Sequence, residues 1–296
     1  MLWRKATFVL LAVLCLSPYC YPPAALLLGI AVAITIGRPF ARVDGRFTKR
    51  LFEVSVVLLG FGTDLKAVFG VIREGFVFIL IGSAVMVALA YLLGRWTGEE
   101  SRSGDDEFVP GLNGRTAVES ASALPAVMFV FSTAALVAYP FAAYLLHLSA
   151  KHAALWPSMT VFLAPMALGA ALTQGPEILS VAAPLVLTRV LLVYAAGLAV
   201  PKTGDRESRM TGFPWLVPLF LLVVAARTYA PLVIFPSVFE AVVNLAKAGI
   251  ILSLFFLGTI LSRDVFGVLR SRAAIAALIA WTLFSFLSLA AILRLV

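Results

Sequence analysis

Charge is scarce in this sequence. Asp, Glu, Lys and Arg make up 13% of the residues, about half of what an ordinary soluble domain carries, so the chain cannot offer water a continuous charged surface. Sulfur and imidazole are equally sparse. The two cysteines, Cys15 and Cys20, stand five residues apart without a CxxC spacing, which excludes a disulfide framework and a zinc site. The two histidines, His147 and His152, bracket Lys151 with no cysteine or carboxylate at a metal-ligand spacing, and no metal is expected. No phosphate-binding Walker loop, GxSxG, HExxH or dinucleotide fingerprint occurs, so the expectation is a chain that is not an enzyme, uses no cofactor and hydrolyses no nucleotide by itself.

What the sequence has instead is hydrophobic length. Apolar residues form 62% of its 296 positions, and a bilayer core of about 30 Å takes roughly 20 such residues per helix. Apolar segments bounded by charge, Pro and Gly run over approximately 5–18, 22–37, 50–63, 74–94, 108–128, 129–146, 153–172, 176–200, 212–230, 239–262 and 273–294. The fold class read from this is all-α, a polytopic transmembrane helix bundle of about 11 spans forming a single domain over 1–296. The opening Met1-Leu-Trp-Arg-Lys5 and the apolar run after it have the outline of a secretory leader. Tyr19, Tyr21, Pro22 and Pro23 suit a cleavage site poorly, and a short first helix over 5–18 is the better reading.

The net charge of +8 does not point to nucleic acid, because the basic residues sit in short loops between apolar spans. With the N-terminus cytoplasmic and strict alternation, sixteen Lys and Arg, Lys151 among them, fall on the inner side and three, Lys66, Arg73 and Arg294, on the outer. That asymmetry is the positive-inside pattern. It predicts eleven spans with the N-terminus inside and the C-terminus outside, and the lipid bilayer as the environment.

An internal repeat runs through the chain. Val68-Phe-Gly-Val-Ile-Arg73 recurs as Val265-Phe-Gly-Val-Leu-Arg270, each copy following a Leu-Gly pair, Leu59-Gly60 and Leu257-Gly258. The alternation places the copies on opposite membrane faces. Inverted repeats, here with halves at about 22–128 and 153–296, are typical of secondary transporters.

Charged side chains within a span cost at least about 2.5 kcal/mol on insertion scales and mark candidate sites. Four basic residues fall inside the segments: Arg115, Arg189, Arg227 and Lys247. The stretch Phe108 to Pro125 is the least regular, because Pro110, Gly111 and Gly114 oppose a continuous helix, and broken backbone at membrane depth belongs beside a cavity. There Asn113, Gly114, Arg115 and Thr116 would line an anion site at the start of a half-helix. Glu119, four residues from Arg115, is the proton-coupling candidate, with Ser120 as a further ligand and Ser122 nearby. The alternative is an Arg115 to Glu119 ion pair that only fixes the fold. Thr188 and Arg189, between Pro184 and Pro201, complete the proposed substrate lining, against the alternative of an arginine that bonds backbone carbonyls. Arg227 reads as an interfacial anchor, Lys247 as structural and the histidines as interfacial.

The order of Leu58-Leu-Gly-Phe-Gly-Thr-Asp-Leu65, the broken segment closing on Ala123-Leu-Pro125, Tyr139-Pro140, Leu187-Thr-Arg-Val190, Phe213-Pro-Trp215 and Phe256-Leu-Gly258 resembles a bacterial family of YeiH-like membrane proteins named as sulfate exporters. The resemblance covers nearly the whole chain. It implies an inner-membrane exporter of sulfate or a related anion, with crossed, broken helices similar to bile acid and sodium-proton carriers. This chain departs from the family pattern at Gly114-Arg115-Thr116, where an Ile-Cys-Gly turn is usual, and at Glu119, where a small residue is usual. It departs again at Phe162, Leu163 and Met166, in place of a His-acid pair and a Gln, and at Leu187, in place of a Lys.

The expectation is a secondary carrier for a small anion, sulfate-like, sulfonate or carboxylate, with proton coupling through Glu119. An intramembrane enzyme or assembly factor and a passive anion channel are the competing classes. The acidic run Asp105-Asp-Glu107 beside Glu99 and Glu100 reads as a solvated loop. Homo-oligomerisation is left open.

Overall fold

The computed structural model of the chain describes residues 2–17, 20–35, 45–97, 123–199, 214–229, 236–260 and 272–295. They form α1 (Leu2–Cys15), α2 (Pro22–Thr35), α3 (Gly45–Leu59), a 3-10 turn (Gly60–Gly62), α4 (Leu65–Thr97), α5 (Ala123–Leu145), α6 (Ala150–Thr160), α7 (Ala164–Gln174), α8 (Pro176–Ala199), α9 (Leu216–Tyr229), α10 (Pro236–Thr259) and α11 (Arg272–Leu295). No strand occurs among the described residues. The all-α reading holds, and this is a polytopic membrane helix bundle.

Five of the described helices are long and apolar enough to cross a bilayer, with windows at Leu65–Leu89, Met128–Leu145, Pro176–Ala196, Val238–Thr259 and Ala274–Leu295. Large apolar side chains cover their outward faces, among them Phe69, Val77, Phe141, Leu283 and Phe286, as lipid demands. Prolines start α2, α8 and α10, where the missing N–H is lost at no cost.

The helices and the apolar segments do not correspond one for one. Residues 123–145 are a single helix, spanning the boundary read between segments 108–128 and 129–146. Segment 153–172 is not one span but two helices of 11 residues each, about 16 Å long at 1.5 Å per residue and too short to cross singly.

Contacts fix how these pieces run. Glu74, Gly75 and Gly82 of α4 meet Lys151, Leu155 and Met159 of α6 in that order, so α4 and α6 are parallel. On α11, Ser285 and Trp281 meet Tyr139 and Phe131 of α5. The same two residues meet Trp156 and Phe162. Hence α5 runs with α11, and α6 runs against both. Next, Met166 and Gly169 of α7 meet Thr133 and Leu136 of α5, so α7 runs with α5 and back along α6. The pair α6–α7 is a re-entrant hairpin: it enters and leaves at the same end of the bundle.

That geometry corrects the alternation. Lys151 lies at the same end as Lys66 and Arg73, not opposite them, which changes the sixteen-to-three partition to fifteen and four. Its sign is kept. Phe47 meets Phe256 and Phe61 meets Phe239, so α3 and α10 are antiparallel, as are α4 and α11. Val68–Arg73 forms the first turns of α4 rather than a loop, while 265–270 lies outside the described residues.

Candidate functional site

Among the described elements the hairpin is the most continuously buried. Residues 153–164 are all buried, as are 166–171. Its interruption has a local cause. Pro165 stands at the start of α7 and has no N–H to give to Val161, and its ring opposes that carbonyl. Met166 and Ala167 both donate instead to Leu163 O at 3.0 Å, which leaves Phe162 O without its helical donor.

Arg189 of α8 supplies what the break removes. Its Nη1 donates to Ser158 O at 2.9 Å and to Val161 O, and its Nη2 donates to Phe162 O at 3.2 Å. The side chain is buried, 3% exposed. An uncompensated buried carbonyl costs about 1–3 kcal/mol, and a guanidinium in the same place needs acceptors as badly. Each resolves the other's problem, so Arg189 bonds backbone carbonyls at the break. Thr188 turns to its own helix, donating to Pro184 O at 2.8 Å.

The opposite half of the break differs. Among the described residues, the backbone N–H groups of Phe162, Leu163 and Ala164 find no acceptor. They head α7, whose aligned peptides favour negative charge at this end. Among the described residues, two buried polar side chains near them also lack partners, Trp281 Nε1 and Ser132 Oγ, both 0% exposed. The Trp281 ring packs edge-on against Phe162, 4.3 Å between ring centres. Ser132 lies between Phe131, which meets Trp281, and Thr133, which meets Met166.

A polar cluster anchors the same region. Tyr139 stacks on Trp156 at 4.0 Å, with its Oη 2.6 Å from Ser285 Oγ and 2.9 Å from Thr160 Oγ1. Trp156 Nε1 donates to Ser285 O at 3.1 Å. Helices α5, α6 and α11 are thereby tied together directly beside the tip.

Of the residues selected from the sequence, Asn113, Gly114, Arg115, Thr116, Glu119 and Ser120 lie outside the described residues. Arg227 donates from Nε to Phe61 O at 3.1 Å and lies 5.1 Å over the Phe239 ring. Lys247 Nζ sits 3.5 Å from Asn244 Oδ1 on its own helix. His147 occupies the left-handed turn after α5, φ 48°, and His152 lies in the first turn of α6, where its N–H meets Ser149 Oγ. Among the described residues no group of three His, Cys, Asp or Glu is placed to hold a metal ion. Trp281 and Ser132 were not singled out, and the tip was marked only by the departures from the family pattern at Phe162, Leu163 and Met166; Pro157 and Pro165, eight residues apart inside one apolar segment, were the available signal for the break.

Comparison with known proteins places the chain among bacterial membrane proteins. It is 31% identical to a UPF0324 membrane protein of Porphyromonas gingivalis, over 92% of this chain and 87% of that one. It is 29% identical to a UPF0324 membrane protein of Geobacter sulfurreducens, over 98% and 96%, and 26% identical to one of Bacteroides thetaiotaomicron, over 93% and 87%. No family model and no solved structure matches the chain.

Proposed function

The chain belongs to the UPF0324 family of membrane proteins, and from that membership and its interrupted hairpin we propose that it is a secondary transporter for a small anion, sulfate-like, sulfonate or carboxylate. The observation that carries the reading is a re-entrant hairpin whose tip is buried in a bundle with inverted pairs α3/α10 and α4/α11. A protein that only anchors or spaces others has no use for broken backbone at this depth, since every freed carbonyl must be compensated. Carriers use such breaks as binding positions. The chain on this reading is no enzyme and needs no cofactor.

The fifteen-to-four partition of basic residues supports a bacterial inner-membrane setting with the N-terminus in the cytoplasm. The base of the hairpin then faces outward. Arg115, Thr116 and Glu119 remain the proposed substrate and proton groups of the segment before α5, and Arg189 acts as a positioning residue for the hairpin.

The test is uptake of labelled sulfate, bicarbonate, small carboxylates and sulfonates into proteoliposomes, with and without a pH gradient. An anion that enters with the wild type, fails with Arg115→Ala and loses only its pH dependence with Glu119→Gln supports both roles. Uptake untouched by either change removes the segment before α5 from the site. Absence of any anion flux with the wild type contradicts the carrier reading.

A further inference from the structure

We propose that the tip of the α6–α7 hairpin binds a small oxyanion in its donor half, while Arg189 stands permanently where a coupling cation would sit in its acceptor half. The proposal rests on the carrier reading and names the binding position.

An interrupted helix offers two half-sites of opposite sign. The carbonyl end of the first half attracts a cation, and the N–H end of the second attracts an anion. In this protein the first is filled from within, because the three carbonyls of Ser158, Val161 and Phe162 all receive the Arg189 guanidinium. A sodium ion there would have to displace the guanidinium or sit against its charge. The second half-site is open, with three N–H groups at Phe162 to Ala164 lacking an acceptor among the described residues.

Two further groups show that the open half is built for a ligand. An indole N–H is a donor only, and it cannot serve a cation. Trp281 is 0% exposed with its Nε1 unpartnered, and its ring is fixed against Phe162. Ser132 Oγ is buried and unpartnered on the stretch of α5 between the residues that touch Trp281 and Met166. Leaving two such groups orphaned costs about 1–3 kcal/mol each, a penalty that a bound anion removes. A set of N–H donors joined by one hydroxyl, which can also donate, selects an oxyanion, whose several oxygens can take one donor each. The neighbouring aromatic walls, Phe131, Phe162 and Trp281, favour a small one. The guanidinium behind the break adds positive potential, and both of its terminal nitrogens donate to carbonyls of the break.

The experiment is calorimetric titration of the full-length protein in detergent with the sodium and choline salts of sulfate, thiosulfate, bicarbonate and acetate, using the wild type, Trp281→Phe and Ser132→Ala. Phe keeps the ring and removes the N–H; Ala removes one oxygen. Each change should weaken the best-bound anion by about tenfold to a hundredfold, the scale of a lost hydrogen bond to a charged group. Sodium and choline salts should bind alike. Unchanged affinity in both variants overturns the site, and tighter binding of the sodium salt overturns the resident-cation assignment. If Trp281→Phe does not fold, Ser132→Ala alone decides. Wild-type flux with undiminished binding in the variants moves the site elsewhere and leaves the carrier reading standing, whereas no binding and no flux with the wild type ends both.

Discussion

Two of the described breaks between helices, one at the end of the bundle and one in its interior, are handled differently. Between α3 and α4, residues 60–64 turn at the end of the bundle. There Arg227 Nε donates to Phe61 O, Thr228 Oγ1 accepts from Leu65 N at 2.9 Å, and Asp64 Oδ1 accepts from Ala67 N at 2.9 Å. Carbonyl and N–H sides are both satisfied, by several modest partners that are half-buried or exposed. Around residues 161–163, in the buried interior, one charged side chain serves the carbonyls of Ser158, Val161 and Phe162, and the N–H side is left open. The first interruption is finished as structure. The second is finished on one side only, and the unfinished side is where a ligand belongs.

Substitutions can break that contrast, and the interior should be the more fragile. Arg189→Met keeps the length of the side chain and removes every donor, so three carbonyls are orphaned at about 1–3 kcal/mol each. We expect loss of most folded protein on size-exclusion chromatography, with partial recovery in Arg189→Lys, which restores charge but not the planar fork. A wild-type profile for Arg189→Met would contradict the clamp. Gly29→Ala comes next, because a Cβ there would lie 2.1 Å from Phe255 O at the close crossing of α2 and α10. Backbone cannot step aside as a side chain does, and a loss of about 3 kcal/mol is expected, at the upper end of ordinary overpacking. Arg227→Ala should cost about 1 kcal/mol, as water reaches the bundle end and can replace its bond. The smallest effect has the opposite sign. His147 holds the left-handed position of a Schellman turn, with Leu148 N donating to Ala143 O and His147 N to Tyr144 O. His147→Gly should stabilise by about 1 kcal/mol through relief of that conformation. Thermal midpoints in one detergent read all three.

The fold was legible in the sequence where hydrophobic length was decisive. Segments 74–94, 176–200, 239–262 and 273–294 lie on α4, α8, α10 and α11, because any lipid-facing helix must be continuously apolar. Buried half-helices are just as apolar, so composition alone could not divide 153–172. The division is carried by Pro157 and Pro165, and by Arg189, whose three bonds join residues 27 to 31 positions apart. Direction was the second loss: a hairpin that returns to its own side reverses the sense of the preceding helix without changing any helix after it. Arg189 itself was found from its charge, but its partners were not, since backbone carbonyls leave no mark in a sequence. Trp281 was invisible for a related reason: in an apolar helix an indole signals packing, and only the absence of a partner for its N–H sets it apart.

The hairpin's path is the claim on which the rest depends, and single-cysteine labelling in intact cells tests it most directly. In a background with Cys15 and Cys20 replaced by serine, cysteines at Lys66, Ser149, Glu177 and Trp215, all exposed positions, are probed with a membrane-impermeant thiol reagent. The structure predicts that 66, 149 and 177 label from one face and 215 from the other. Labelling of 149 and 177 from opposite faces would show a single crossing span in place of the hairpin and would contradict the account.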